Sequence, residues 1–193
     1  FKQKTAYEML RSLVGSEMCI RDREKLAGIG GFEPLADHLA DDYMLGRLFR
    51  SAGYEVRLLP EVVETVLPQV SFAQLFKHQV RWSRGIRACR PLGHAGLVFT
   101  HGTVWALVNG IVSGGTPPAT VLFMVVLGVR LWMGWTVGVK YLGDALLAAN
   151  FFLIPLRDLF SVSVWCVSLA GSHVEWRGRR YRIVSGGRMV EDP

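Results

Sequence analysis

The chain has 193 residues, of which 22 are Lys or Arg and 16 are Asp or Glu, so its formal net charge is +6. The basic residues gather at 77–90 and 177–188, on either side of an apolar region, which suits an anionic membrane surface better than a nucleic acid. The 3 Cys have no CxxC or Cys/His spacing, which argues against a disulfide framework and against a structural zinc site.

Residues 1–23 are set aside, because they resemble the conceptual translation of a sequencing-library adaptor fused in frame to a coding fragment. We expect this stretch to be an artefact without structure, so that the natural chain is truncated ahead of Glu24. The alternative is a genuine amphipathic leader, since Met9, Leu10 and Leu13 could share one face of a helix.

Residues 24–70 are predicted to form the C-terminal part of an α/β domain. Gly28, Gly30 and Gly31 make a flexible loop, which is either an ordinary turn or a backbone that approaches a substrate closely.

A helix is predicted to begin at Asp41 and Asp42, where the helix dipole and unpaired backbone N–H groups favour carboxylates. Gly53 ends this helix, and its apolar residues recur at helical spacing: Met44, Leu45, Leu48 and Phe49. Asp41 and Asp42 either mark the start of an ordinary surface helix or include a functional acid.

Two strands are predicted next, at 54–59 and 62–67, ended by Pro60 and Pro68. Residues 71–91 are predicted to form a basic amphipathic helix, capped by Ser71, that lies along the membrane interface. Its apolar face consists of Phe72, Leu75, Phe76, Val80 and Ile86.

Residues 93–172 are predicted to be a membrane region of two to three helices, at about 93–112, 119–139 and 144–171. The third segment carries Arg157 and Asp158, which either face the catalytic part, break the span, or form a simple helix-end ion pair. The number of crossings stays open. Three crossings would leave the two basic clusters on opposite sides of the membrane, so one segment is re-entrant or interfacial if both clusters are cytoplasmic. Residues 173–193 are predicted to be a basic cytoplasmic tail.

Four motifs occur in order: GGFEPLADHLADDYMLGR, HQVRWSRGIR, PLRD and VEWRGRRYRI. Together they resemble the C-terminal half of membrane glycosyltransferases of the GT-A fold. The chain looks most like the ceramide glucosyltransferase family, glycosyltransferase family 21, in its hopanoid-biosynthesis branch. The resemblance covers about Glu24 to Gly187.

The resemblance implies an inverting transfer of a sugar from a UDP-sugar to a membrane lipid hydroxyl of the ceramide or hopanoid type. It implies an integral protein of the bacterial inner membrane with a cytoplasmic catalytic part, and it leaves the oligomeric state open. Asp42 matches the family's general base. Asp41 caps the helix or orients Asp42, and a role shared with Asp42 is the alternative. Asp41, Gly30 and Gly31 are candidate substrate-binding residues.

The family's Gln- or Arg-x-x-Arg-Trp motif falls on His78, Arg81 and Trp82. Arg81 would stabilise the leaving diphosphate, and Trp82 would stack beside the acceptor. His78 departs from the family pattern, which puts its role in doubt. The alternative is that all three are membrane-interface residues.

The family holds Mg²⁺ or Mn²⁺ and its donor through an Asp-x-Asp in an N-terminal half, and no Asp-x-Asp occurs in this chain. We therefore assign no metal ligand here, and expect the chain to be inactive alone although its parent is an enzyme. We also expect Asp42 and Arg81 to meet in one cavity beside the bilayer. The alternatives are a processive polysaccharide synthase and a non-catalytic membrane scaffold.

Overall fold

The computed structural model describes residues 23–57, 70–176 and 179–192. These residues are mostly helical, with one three-stranded sheet. The chain divides into two compact units: the first comprises Phe1–Leu75 and Ser172–Pro193, and the second comprises Phe76–Gly171. The predicted artefact at 1–23 lies outside the described residues except for Arg23.

The first unit begins with two short helices that share a small core. Helix α1 spans Arg23–Gly28, a 3₁₀ turn spans Glu33–Leu35, and helix α2 spans Asp41–Ser51. Leu26, Ile29 and Phe49 are buried together, with Leu45 and Leu48 packed against them. The apolar spacing that predicted α2 is thus the face that the helix buries, and Gly53 follows its end with φ 88°.

The strand predicted at 54–59 is wrong in its described part. Residues 54–57 continue from α2 as irregular chain, and no strand pairs with them among the residues that the structure describes. Alternating side chains indicate an amphipathic segment, but a strand also needs a neighbouring edge that its backbone can pair with. The remainder of this strand and the one predicted at 62–67 lie outside the described residues.

The sheet lies instead in the C-terminal segment. Strands β1 (His173–Trp176), β2 (Arg179–Ile183) and β3 (Met189–Glu191) form an antiparallel meander in the order β1-β2-β3. Two backbone hydrogen bonds join it to the chain ahead of α2: Leu39 N–H donates to Gly187 O at 3.1 Å, and Met189 N–H donates to Asp37 O at 2.6 Å. The predicted basic tail therefore folds as part of the first unit.

Helix α3 spans Phe72–Cys89 and begins with a reciprocal cap. Gln74 N–H donates to Ser71 Oγ at 3.3 Å, while Ser71 N–H donates to Gln74 Oε1 at 2.9 Å. The predicted Ser71 cap is confirmed. Of the predicted apolar face Val80 is buried, Leu75 and Phe76 are half-buried, and Phe72 and Ile86 are exposed. The position of this helix along a membrane interface stays a prediction.

The predicted first span is two helical pieces rather than one. Helix α4 (Pro91–Gly96) continues as a 3₁₀ turn (Leu97–Thr100), and after His101 the chain forms α5 (Gly102–Val112) at an angle of 56°. Helix α6 spans Pro117–Gly134 and continues as a π-helix over Trp135–Tyr141.

The third apolar segment breaks earlier than its Pro-Leu-Arg-Asp sequence indicates. Helix α7 spans Ala145–Ala149, a 3₁₀ turn spans Phe151–Leu153, and α8 spans Ile154–Leu169. Pro155 starts α8 instead of interrupting it, since the first turn of a helix does not need the N–H that proline lacks. Among the described residues, Pro117–Tyr141 and Phe151–Leu169 are long and apolar enough to cross a membrane, and the bent pair Pro91–Val112 would be a third if it crosses.

An ion pair connects the two helices that can cross. Asp158 on α8 accepts three hydrogen bonds of 2.8–3.1 Å from the guanidinium of Arg130 on α6, and Thr103 Oγ1 on α5 donates to it at 2.9 Å. The partner of Asp158 is thus Arg130, and Arg157 is exposed. A charge among apolar helices is stable only when it is paired, so this contact fixes which helices are neighbours.

Candidate functional site

The two acids at the start of α2 bind backbone of their own first turn. Asp42 N–H donates to Asp41 Oδ1 at 3.0 Å, and Tyr43 N–H donates to Asp42 Oδ1 at 2.7 Å. Both side chains are exposed. Because N–H groups of the first helical turn have no intrahelical partner, such bonds orient a carboxylate while leaving its second oxygen available for other contacts.

The glycine loop has a structural explanation. Gly31 N–H donates to Leu26 O and Gly30 N–H donates to Ala27 O, at 2.9 and 3.0 Å, which is the paired bonding of a Schellman helix end. Gly30 has φ 90°, and a Cβ there would lie 3.2 Å from Pro34 Cγ. These glycines terminate α1; their predicted contact with substrate stays a prediction.

His78, Arg81 and Trp82 lie on α3, in the second unit. The rings of His78 and Trp82 meet edge to face with centroids 4.6 Å apart, as side chains four positions apart on a helix can. Trp82 is 56% exposed and Arg81 is half-buried. The His78 ring therefore contacts the indole of Trp82 on an exposed face of α3, and the role of His78 in the motif stays open.

The residue after Trp82 belongs to a buried polar network. Ser83 Oγ donates to Ser168 Oγ at 2.9 Å, Ser168 donates to Trp165 O at 2.7 Å, and His94 Nε2 lies 3.0 and 2.9 Å from the two hydroxyls. Each hydroxyl has one proton, so His94 Nε2 is the donor in both of its contacts. Trp165 Nε1 donates back to His94 O at 2.9 Å. This network holds α3, α4 and α8 in one arrangement.

Two further arginines of α3 reinforce that arrangement. Arg84 donates to Ala170 O at 3.0 Å, and Arg87 donates to Leu169 O and Gly171 O. These carbonyls end α8, where a cation also stabilises the negative end of the helix dipole. Burial, with a smaller contribution from the charge of Arg87, lowers the pKa of the Arg84 guanidinium from its ordinary value.

We expect replacement of His94 by Ala to destabilise the protein by about 1–3 kcal/mol, because the buried hydroxyls of Ser83 and Ser168 lose their donor. His94 and Ser168 are 1% and 0% exposed, so water does not replace that donor readily. Thermal unfolding in detergent measures the effect.

His94→Gln, which keeps a side-chain N–H donor, should recover part of the loss. The matched control is His78→Ala on the exposed face of α3, which we expect to change the stability by no more than about 0.5 kcal/mol. Equal effects of His94→Ala and His78→Ala would contradict the assigned role of the network.

No group of three or more His, Cys, Asp or Glu side chains in the described ranges 23–57, 70–176 and 179–192 is arranged to hold a metal ion. The described residues therefore do not supply a ligand set for the divalent cation that the resemblance implies.

The structure places the predicted site residues in two groups. Gly30, Gly31, Asp41 and Asp42 belong to the first unit, and His78, Arg81 and Trp82 belong to the second. The meeting of Asp42 with Arg81 in one cavity stays a prediction. Sequence reasoning missed the Ser83–His94–Ser168 network; the signal available for it was polar residues interrupting apolar stretches.

Comparison with known proteins gives one family. The family model of glycosyl transferase family 21 matches residues 5–189. The match begins inside the stretch 1–23, so it lends no support to the artefact interpretation, which stays a prediction. No solved structure matches the chain.

Proposed function

Because the chain belongs to glycosyl transferase family 21, we propose that it forms the acceptor side of an inverting transferase acting on a membrane lipid. The donor is a UDP-sugar, and the acceptor is a hydroxyl of the ceramide or hopanoid type. The family match over residues 5–189 carries this proposal. A GT-A donor half, belonging to a longer parent protein, completes the enzyme.

Asp42 is proposed as the general base. In the reaction the lipid oxygen bonds to the anomeric carbon, the bond from that carbon to the diphosphate breaks, and the hydroxyl proton passes to the carboxylate. An alcohol attacks well only when its proton is removed in the transition state. The exposed Asp42 side chain, held at Oδ1 by the Tyr43 N–H, fits this task, and Asp41 holds the backbone of Asp42 in turn.

Arg81 and Trp82 are proposed to serve the two ends of the reaction. The Arg81 guanidinium stabilises the charge that develops on the leaving UDP, since planar N–H donors suit phosphate oxygens. The Trp82 ring, in edge-to-face contact with His78, presents an exposed apolar surface to the acceptor. The cation that the family employs needs ligands outside the described residues. The roles proposed for Asp42, Arg81 and Trp82 do not require contact with that cation.

A lipid acceptor is supported by the apolar surface of the second unit. Its two long apolar helices expose large side chains along their length, among them Val121, Met124, Val125, Trp132 and Leu156. Soluble proteins rarely expose so continuous an apolar surface, and a bilayer covers it. An acceptor dissolved in that bilayer reaches the protein without leaving the membrane.

We expect the Arg81→Lys variant of the parent protein to lose kcat by about 10²- to 10³-fold, because an ammonium replaces the fork that stabilises the transition state. We expect Trp82→Ala to raise the KM for the lipid more than it lowers kcat. Transfer of labelled sugar from UDP-sugar to lipid in nanodiscs measures both parameters.

Lys77→Gln is the control for these two variants, since it removes an exposed charge from the same helix and should keep kcat and KM within about twofold. If Arg81→Lys and Trp82→Ala behave like Lys77→Gln, the assignment of the motif to the reaction is wrong, and the interpretation as interface residues holds.

A further inference from the structure

The segment Pro91–Val112 is apolar and bent by 56° at His101. A bend of this size fits either a kinked crossing or a segment that leaves the bilayer on the side where it entered. We propose the second: Pro91–Val112 is re-entrant, and the protein crosses the membrane twice in the described region, through Pro117–Tyr141 and Phe151–Leu169. This topology follows from contacts within the chain and does not depend on the proposed function.

The segment starts at the membrane face where α8 ends. Arg84 and Arg87, just ahead of it, bind the carbonyls of 169–171 at the C-terminal end of α8. His94, near its beginning, bonds to Ser168 in the last turn of α8. Both groups of contacts place residues 84–94 level with that end.

The segment finishes at the same face, because α6 begins there. Arg130 pairs with Asp158, while a Cβ at Gly134 would lie 2.7 Å from Ile154 Cδ1, so α6 and α8 run antiparallel. At a rise of 1.5 Å per residue, the start of α6 lies about 20 Å from Arg130 along the helix axis, and the end of α8 lies about 16 Å from Asp158. The start of α6 and the end of α8 therefore lie at one face.

The middle of the segment lies deeper than its ends. Thr103, in the first turn of α5, reaches Asp158, whereas His94 lies beside Ser168. A Cβ at Gly102 would lie 3.7 Å from Val126, so α5 returns alongside α6 to the turn at 113–116. The chain therefore descends to His101 and returns. Leu92 and Phe99 are 88% and 86% exposed, which suits side chains that face lipid.

The first unit gives an independent argument. Its hydrogen bonds from Leu39 to Gly187 and from Met189 to Asp37 join chain that precedes the membrane region to chain that follows it. Polar, hydrogen-bonded segments of one compact unit lie on one side of a bilayer. The number of crossings between residues 72 and 171 must then be even, which excludes three.

Cysteine labelling of the full chain in vesicles tests this topology. In a background with Cys19, Cys89 and Cys166 replaced by Ser or Ala, single thiols are introduced by Ser51→Cys, Thr116→Cys, Tyr141→Cys and Ser185→Cys. A membrane-impermeant maleimide is added before and after detergent, in vesicles whose protein orientation is biased to one side. Thiols on one side give equal labelled fractions, and thiols on opposite sides give complementary fractions.

We expect the thiols at 51, 116 and 185 to give the same labelled fraction, and the thiol at 141 to give the complementary one. If Pro91–Val112 crosses the membrane, the thiols at 51 and 141 should instead share one labelled fraction. The thiols at 116 and 185 should then give the complementary fraction. That pattern overturns the proposal, as does a thiol at 116 that reacts only after detergent while the thiol at 51 reacts before it. Sugar transfer plays no part in the readout, so a failure of the proposed function leaves this test unaffected.

Discussion

Replacing Asp42 by Asn in the parent protein should lower kcat for sugar transfer by about 10²- to 10⁴-fold, the usual contribution of a general base. The amide keeps the shape of the side chain and can still accept the Tyr43 N–H through its oxygen, but it takes no proton from the lipid hydroxyl. Rates of labelled-sugar transfer from UDP-sugar to lipid give the value.

Asp41→Asn is the matched control for this variant. It removes the neighbouring charge at the same helix start, and its oxygen can still accept the Asp42 N–H, so we expect a much smaller loss of kcat than in Asp42→Asn. The thermal transitions of both variants should equal that of the wild type. Full activity of a folded Asp42→Asn variant would show that this carboxylate is not the base.

The largest effect on stability is expected at the Arg130–Asp158 pair. Asp158→Ala leaves a guanidinium of 31% exposure without its carboxylate among apolar helices, and it also removes the acceptor of Thr103. Removing one partner of a buried pair costs about 3–5 kcal/mol. At about 2–4 °C per kcal/mol for a chain of this size, the thermal transition in detergent should fall on the order of 10 °C.

Two variants separate the loss of the pair from a general effect of substitution. The double variant Arg130→Met with Asp158→Leu, which removes both charges, should regain most of the lost stability. Arg157→Gln changes the adjacent, exposed arginine and should shift the stability by no more than about 0.5 kcal/mol. If Asp158→Ala and Arg157→Gln have the same effect, the pair does not hold the helices together.

The elements that the sequence predicted well are those with local signals. The start of α2 is marked by Asp41 and its end by Gly53, and Ser71 with Gln74 marks the start of α3. The apolar stretches at 119–139 and 144–171 overlap Pro117–Tyr141 and Phe151–Leu169, which are long and apolar enough to cross a bilayer, although the second stretch is broken ahead of Phe151. Each of these signals is contained within a few neighbouring residues, so no knowledge of distant contacts is needed.

The elements that the sequence did not reveal depend on distant partners. The chain at 54–57 alternates like a strand but pairs with no strand in the part of the chain that the structure describes. The basic segment after Ser172, in contrast, forms a sheet that a charge count does not indicate. A helix-end ion pair between Arg157 and Asp158 was one of the alternatives left open, but adjacent residues of a helix point in different directions. Arg130, the only charge in its segment, is the partner that the geometry selects.

The helices that carry the candidate residues were predictable, whereas the roles of these residues in a site stay predictions. Asp42 stands at a helix start, and Arg81 with Trp82 lies on a capped, basic helix, as the motifs indicate. The His78–Trp82 ring contact could be anticipated from their spacing of four. The buried network of Ser83 with His94 and Ser168 could not, because Ser168 is 85 and 74 positions away from its two partners in the sequence.

The most direct test of the account is the product that the parent protein makes from a UDP-sugar labelled in its sugar. The protein is reconstituted with ceramide or with a hydroxylated hopanoid, and the label is followed into the lipid extract. We expect the label to appear in a lipid that carries a single sugar. We expect no labelled lipid when the acceptor lipid is left out. Label that accumulates only in a water-soluble polymer, or no transfer with either lipid, would contradict the assignment of this chain to sugar transfer onto a membrane lipid.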